Sequence, residues 1–312
     1  MGPKAELERA RRKRERGSGS IIAIRFTIPA VKDTACVEFL QWALPKLHLR
    51  WPGFRKVRRQ VCKRLGRRIR TLGLDHTEAY RAYLETHPDE WDVLDAMCRI
   101  TISRFYRDRG VFDLLRATLL PQRAQRATDE TTLRCWSAGC ASGEEVYTLK
   151  ILWIEDLQPR FPHLDLHLTA TDAGAPLLER ARRGCYPKGS LKELPEAWID
   201  AAFSPSDDEY CIRAAFREGI DWREQDLRLT TPEGPFDLIL CRYLAFTYFD
   251  EPLQRACLAR MAACLQPGGL LVLGKHETLP EDAADFTLVD AHQRIYCRVG
   301  ETESRGVGEI SY

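Results

Sequence analysis

Apolar positions change their period about a third of the way along the chain. From Ala35 to Ile102 they recur at steps of three and four, and Phe54, Val57, Val61, Leu65, Ile69 and Leu72 fall on one helix face. That spacing predicts a helix over 54–72, with Gly73 just past its end where a left-handed residue closes a helix. A second helix carries Tyr80, Tyr83 and Leu84, and a third Trp91, Leu94 and Met97. Beyond Phe112, short apolar runs alternate with helical stretches. Segments 133–138, 166–171, 236–241 and 270–274 read as buried strands, and 219–223 as a shorter one. Segments 176–183 and 253–265 read as helices, 266–269 as a turn, and 286–289 with 294–299 as a closing hairpin. The pattern predicts an α/β fold: a doubly wound, Rossmann-like, mostly parallel sheet covered on both faces, preceded by a small all-helical domain. The expected division is a charged, disordered or frayed tail over 1–20, a helical domain over 21–105, the sheet domain over 106–300 and a second tail over 301–312.

The strand at 133–138 breaks into Gly139-Cys140-Ala141-Ser142-Gly143, and Glu144 and Glu145 then open a helix. Strand, glycine turn and helix is the plan of a nucleotide-type cofactor site in such a sheet. The acids bear on which cofactor. A dinucleotide puts its pyrophosphate on the helix N-terminus, where bare N–H groups and the dipole favour an anion. Two negative charges already stand there. S-adenosylmethionine has no phosphate and carries an ammonium and a sulfonium, so a carboxylate beside the loop suits it. The plainer alternative is a pair of acids that only caps the helix.

Asp172 ends the second strand, where an acid accepts hydrogen bonds from both ribose hydroxyls, or simply caps a turn. Gln225-Asp226-Leu227 can reach an adenine edge. Arg242 and Tyr243 follow the third strand at the carboxyl edge, and Tyr248 follows soon after, as pocket wall or as core. Thr101, Ser103, Phe105, Tyr106, Arg107 and Asp108 join the two regions. An arginine there can clamp a donor carboxylate or make an interdomain salt bridge.

Bulk composition narrows the picture less than its distribution does. With 47 Lys and Arg against 45 Asp and Glu, the net charge of +2 points to no partner. The helix over 54–72 is different: Arg55, Lys56, Arg58, Arg59, Lys63, Arg64, Arg67, Arg68 and Arg70 fill its polar positions. Such a face is either simply solvated or a docking surface for an acidic protein; nucleic acid is the weaker partner. The 11 cysteines include no close CxxC pair and sit mostly in apolar surroundings, Cys135, Cys241, Cys257 and Cys264 among them. They are expected to be buried thiols in a reducing compartment, neither a disulfide framework nor a metal site. Cys140 stands apart, in the glycine loop. No apolar run reaches membrane-spanning length and no signal peptide is visible, so a cytoplasmic location is expected.

These residues carry a resemblance. The chain resembles the CheR-type methyltransferases, which esterify glutamates on bacterial chemoreceptors with S-adenosylmethionine. The likeness runs from about Phe39 to Arg298. It includes RRQVCKRLGRRIRTLGL, ITISRFYRD, WSAGCASGEEVYTL, ATD at 170–172, RRGCY at 182–186, FDLILCR at 236–242, YFD at 248–250 and LQPGGLLVLGKHE at 265–277. The resemblance implies donor contacts from Thr101, Ser103, Arg107 and the loop at Gly139. It implies Glu145 on the ammonium, Asp172 on the ribose, Asp226 and Leu227 near the adenine, and Arg242 and Tyr243 lining the same pocket. Arg107 and Tyr248 would sit closest to the transferred methyl, S-adenosylhomocysteine would be the product, and the basic helix would dock an acidic protein acceptor. Departures cluster on the acceptor side. Tyr243 replaces an asparagine, CRYLAFTYFD is one residue longer than the family's stretch, and a lysine, Lys275, enters the late motif beside His276. SPSDDEY at 204–210 matches no receptor-peptide loop. Two alternatives therefore stand beside glutamate methylation: a different acceptor on the same donor fold, with His276 as candidate base, and a donor-binding module without turnover.

Overall fold

The computed structural model describes residues 33–126 and 132–300; the expected tails lie outside the described residues. Four helices come first: α1 (Asp33–Ala43), α2 (Arg58–Thr71), α3 (Thr77–Thr86) and α4 (Glu90–Cys98). The helix predicted over 54–72 is in fact two pieces, because a separate helical turn spans Trp51–Phe54. Pro52 starts that turn. Gly53 lies so close to the Thr247 backbone that a Cβ would stand 2.3 Å from its carbonyl oxygen. Arg58 then starts α2 by donating to the Arg55 carbonyl at 2.6 Å and to Asp33 at 2.8 Å. Gly73 does follow the helix end, with φ of +69°.

Helix α5 (Arg109–Leu114) continues through a π turn into α6 (Leu120–Arg126). There follow β1 (Thr132–Ala138), α7 (Glu144–Leu152), β2 (Asp165–Asp172), α8 (Ala175–Arg183), β3 (Cys185–Pro187), α9 (Glu196–Ala202), β4 (Phe203–Ser206), β5 (Glu209–Ile212), β6 (Ile220–Glu224) and β7 (Phe236–Cys241). The chain closes with α10 (Ala245–Tyr248), α11 (Glu251–Cys264), β8 (Leu265–Leu273), β9 (Phe286–Asp290) and β10 (Ile295–Arg298). Seven strands form one sheet in the order β6-β2-β1-β7-β8-β10-β9, the first five parallel and the last two antiparallel. A small antiparallel sheet, β3-β5-β4, stands apart, with SPSDDEY in its β4–β5 hairpin. The predicted turn at 266–269 is absorbed into β8. Leu265 already pairs with Phe236, and the register slips between Phe236 and Leu238 to take up the Pro-Gly-Gly stretch.

Alternation along β1 sends Cys135 to one face of the sheet and Trp136 and Ala138 to the other. The first face packs with Val111, Phe112, Leu149 and Leu178. The second packs with Cys257 and Met261 of α11 and with Phe39, Leu40, Val61, Leu65 and Ile69. The N-terminal helices thus share a core with the sheet. Cysteine usage departs from expectation. Cys36–Cys62 ties α1 to α2, and Cys185–Cys211 joins directly opposed residues of β3 and β5. Each pair is separated by 26 residues with no motif, so only helix packing and strand register bring it together. Cys98, Cys135, Cys140, Cys241, Cys257 and Cys264 are buried thiols. No helix of the described residues is long and apolar enough to cross a membrane.

Candidate active site

Strands β1 and β7 are parallel neighbours, but the chain leaves them in opposite directions, β1 toward β2 and β7 toward β8. A crevice therefore opens beyond their carboxyl ends, where doubly wound sheets bind ligands. It has two compartments, of about 790 Å³ and about 460 Å³ with open solvent space included, which share Ile100, Gly139, Ala141 and Tyr243. Thr101, Asp172, Asp226, Leu227 and Tyr248 line the larger one. Ser103, Arg107, Glu145 and Arg242 line the smaller. Every residue that the resemblance assigns to the donor or to the methyl lines one or the other.

The glycine loop gives the crevice its floor. The Gly139 and Cys140 N–H groups both donate to the Thr171 carbonyl, at 2.8 and 3.0 Å, which turns the chain away from β1. Gly139 has φ of +77°, and a Cβ there would meet Leu244 at 2.5 Å. Side-chain-bearing residues also adopt left-handed conformations around the crevice: Ala141 (φ +49°), Tyr243 (φ +57°), and Tyr106 (φ +54°) and Asp108 (φ +57°) on either side of Arg107. Such conformations cost about 1–3 kcal/mol each and persist where the surroundings enforce them.

Most of the charges are already engaged. In the smaller compartment Glu145 accepts from Ser137 Oγ at 2.8 Å and from Arg242 at 2.9 Å. Arg242 is nearly buried; it also bonds Asp108 at 2.6 Å and the Arg107 carbonyl at 2.7 Å, and Tyr243 donates its hydroxyl to Asp108 at 2.6 Å. Of the two acids that open α7, only Glu145 faces the crevice; Glu144 is buried and accepts from Ser142 Oγ. The Arg107 guanidinium donates to the Ile102 carbonyl and lies 3.8 Å from the Tyr243 ring centre, with no carboxylate partner among the described residues.

In the larger compartment Asp172 accepts from Ala141 N–H at 2.9 Å and from Gly174 N–H at 2.8 Å. Burial pushes its carboxyl above the ordinary range despite those bonds. Burial alone would also raise Asp226, but the fork of Arg228 outweighs it and holds that carboxyl low. Tyr248 packs on Phe54 at 5.0 Å between ring centres, and burial pushes its phenol up to about 12.

Arg228 and Glu277 matter more here than the sequence disclosed. Arg228 bridges Asp226 to Asp95 of α4, at 2.6 and 2.7 Å. Gln225 has a buried Oε1 with no donor among the described residues. Glu277, in the late GKHE motif, accepts from Tyr243 N–H at 2.8 Å, Gly274 N–H at 2.6 Å and Thr247 Oγ1 at 2.6 Å, which fixes the turn after β7. The signal for Glu277 is its motif; the candidate base beside it, His276, is exposed and lines neither compartment. Cys140 is buried and its thiol is pushed well above the usual value by burial, so it is no reactive thiolate.

These groups fit S-adenosylmethionine. The orphaned Gln225 oxygen can take an amine hydrogen, Asp172 keeps lone pairs for a diol, Glu145 supplies a carboxylate for an ammonium, and Arg107 is an uncommitted cation for a carboxylate. Fold and site together define the class of S-adenosylmethionine-dependent methyltransferases. Residues 101–295 match the family described as CheR methyltransferase, SAM binding domain. A Rhodobacter capsulatus protein described as an uncharacterized 104.1 kDa protein in the hypE 3'region is 30% identical over 234 residues, covering 74% of this chain but 24% of that protein. The chemotaxis protein methyltransferase of Listeria innocua is 32% identical, over 66% of this chain and 76% of that protein. Its Escherichia coli counterpart is 30% identical, over 74% and 80%. The chain belongs to the CheR methyltransferase family, and S-adenosylmethionine is its cofactor.

Proposed function

We propose that the chain methylates glutamate side chains of an acidic protein that docks on the outer face of α2. One observation carries this reading. Arg59, Lys63, Arg67 and Arg70 are exposed and form no ion pair among the described residues. The inner basic residues are committed elsewhere: Arg58 to Asp33, Arg68 to Glu90 and Arg64 to backbone carbonyls. On α2 itself the docking surface is therefore a single line of four cations, with exposed Arg55 and Lys56 just ahead of the helix, and charge reversal at Arg64 or Arg68 would probe structure instead of docking.

In this reading the donor spans both compartments. Asp226, Leu227 and Gln225 receive the adenine, Asp172 the ribose hydroxyls, Glu145 the ammonium, and Thr101, Ser103 and Arg107 the remaining polar groups. Arg242 and Tyr243 hold Glu145 and Arg107 in place. The cofactor supplies a methyl group activated by its sulfonium. The protein's share is orientation, worth up to about 7–11 kcal/mol where alignment is good. No histidine lines either compartment, and burial keeps Tyr243 and Tyr248 protonated to about 12. An acceptor that is already a nucleophile at neutral pH needs no base, and a carboxylate is one. Arg107 and Tyr248 stand where the acceptor would meet the methyl.

Labelled donor incubated with the protein and acidic protein fractions should give methyl incorporation that mild alkali releases as methanol. A base-stable product would transfer the reading to a different acceptor, and donor binding without turnover to a regulatory module. The reading also keeps the chain in the cytoplasm, where thiol pools reduce cystines. Alkylation in freshly opened cells should then count all 11 cysteines as thiols, whereas 7 would mean that both cystines persist.

A further inference from the structure

One wall of the crevice has no secondary structure of its own. Between the end of α4 and Phe105 the chain runs as an irregular strap. Arg99, Ile100 and Thr101 face the larger compartment, and Ile100, Ile102, Ser103 and Arg104 the smaller. Over 100–104, the one hydrogen bond to the main chain among the described residues is that from the Arg107 guanidinium to the Ile102 carbonyl, at 2.7 Å. The strap therefore keeps its shape through its ends. Its far end is pinned by Phe105 N–H on the Ser190 carbonyl and Tyr106 N–H on Thr148 Oγ1.

Its near end is held from α2. Arg64 Nη1 donates to the Met97 carbonyl at 3.0 Å and also to the Arg99 carbonyl. These are among the last carbonyls of α4 and the first of the strap, where helix geometry leaves acceptors unpaired and the dipole favours a cation. One turn along α2, Arg68 grips Glu90 at the opposite end of α4 at 2.6 and 2.9 Å, and Tyr80 adds a bond of 2.6 Å to the same carboxylate. Helix α4 is thus fixed at both ends from α2. The Arg99 side chain continues the chain of contacts to the Ala173 carbonyl, next to Asp172, and to Asp95, the partner of Arg228.

We propose that Arg64 is a positioning residue of the donor site: through the Met97 and Arg99 carbonyls it fixes the strap that carries Thr101 and Ser103. Its side chain lines neither compartment. This inference rests on the reading of the crevice as the donor site. It gives the two faces of α2 separate tasks, the outer for the acceptor and the inner for the donor wall.

The test is calorimetric titration of S-adenosylhomocysteine into the full-length wild type and the variants Arg64→Ala, Arg64→Lys, Arg67→Ala and Asp172→Ala, with amide hydrogen exchange read over 99–104. Two charge-assisted bonds are lost in Arg64→Ala, so affinity should fall about tenfold, with faster exchange along the strap. Arg64→Lys keeps a cation with donors and should bind within about threefold of wild type. Arg67→Ala should bind as wild type does. An Arg64→Ala affinity within twofold of wild type, while Asp172→Ala loses binding, overturns the proposal and leaves the donor site standing. Unchanged affinity in Asp172→Ala removes the donor-site reading and the proposal with it. Equal losses in Arg64→Ala and Arg64→Lys, tracking a fall in melting temperature, also overturn it, since a purely structural role predicts no rescue. If Arg64→Ala does not fold, Arg64→Gln replaces it under the same criteria.

Discussion

The crevice and the outer face of α2 treat charge in opposite ways. In the crevice Glu145, Arg242, Asp172 and Asp226 each hold two or more hydrogen bonds within the protein. On α2 the exposed line Arg59, Lys63, Arg67 and Arg70 holds no ion pair among the described residues. Committed charges are a preorganised small-molecule site, because their geometry is fixed before any ligand arrives. Uncommitted charges on a surface steer and attract, and salt weakens them. Donor affinity should therefore be nearly indifferent to ionic strength, and acceptor association should decline with it. Equal salt dependence of the two would erase the distinction.

The largest effect is expected in the crevice. Asp172→Ala removes the acceptor for two hydroxyls and leaves the Ala141 and Gly174 N–H groups unpaired, so donor affinity should fall by roughly a hundredfold, about 3 kcal/mol. Affinity that survives this change would move the ligand elsewhere. Glu277 comes next. Glu277→Ala strands three donors and should cost about 2–4 kcal/mol of stability. Glu277→Gln keeps one oxygen for the two N–H groups and an amide for Thr247, and should stay within about 1 kcal/mol of wild type. Burial holds Glu277 above the ordinary carboxylate range, so folding takes up a proton there. The stability this adds is full in acid and is lost as pH rises through the raised value. The melting temperature of Glu277→Gln relative to wild type should accordingly improve from pH 4 to pH 7, and a constant difference would mean that Glu277 titrates normally.

How legible all this was depended on what fixes each residue. The crevice could be read because strand ends and glycine turns are local in sequence, and the period of the apolar runs says where each strand stops. Asp172, Arg242 and Tyr243 follow from that alone. On α2 the helical period also carries information: Arg64 and Arg68 flank the apolar line of Val61, Leu65 and Ile69, whereas Arg59, Lys63, Arg67 and Arg70 lie opposite it. The partners of the inner pair, Glu90 and the Met97 carbonyl, lie more than a helix away, and only the packing of α2 on α4 reveals them. The cystines were hidden for the same reason. The packing of the Trp51–Phe54 turn was equally hidden, because Thr247, whose carbonyl Gly53 approaches, belongs to the far end of the chain.

The outer face should respond more modestly than the crevice. Charge reversal at Lys63 and Arg67 together should raise the acceptor KM about tenfold at low salt, shrink to a small effect at high salt, and leave S-adenosylhomocysteine affinity unchanged. A loss of donor affinity in this pair would merge the two faces of the helix into one function.

The smallest effect belongs to Tyr248, and it tests whether chemistry in the crevice needs a base at all. Its ring packs on Phe54, its hydroxyl has no hydrogen-bond partner among the described residues, and burial pushes the phenol up to about 12. A phenol held there is neutral through the physiological range, so it can orient an acceptor or face the sulfonium but cannot take a proton at pH 8. Tyr248→Phe keeps the ring and should lower kcat by no more than about threefold, a single neutral hydrogen bond at most. The kcat of wild type and variant should run flat and parallel from pH 7 to pH 10. A wild-type rate that climbs with pH, and a variant that does not, would make Tyr248 a general base and turn the search from carboxylate acceptors to hydroxyl, thiol or amine ones.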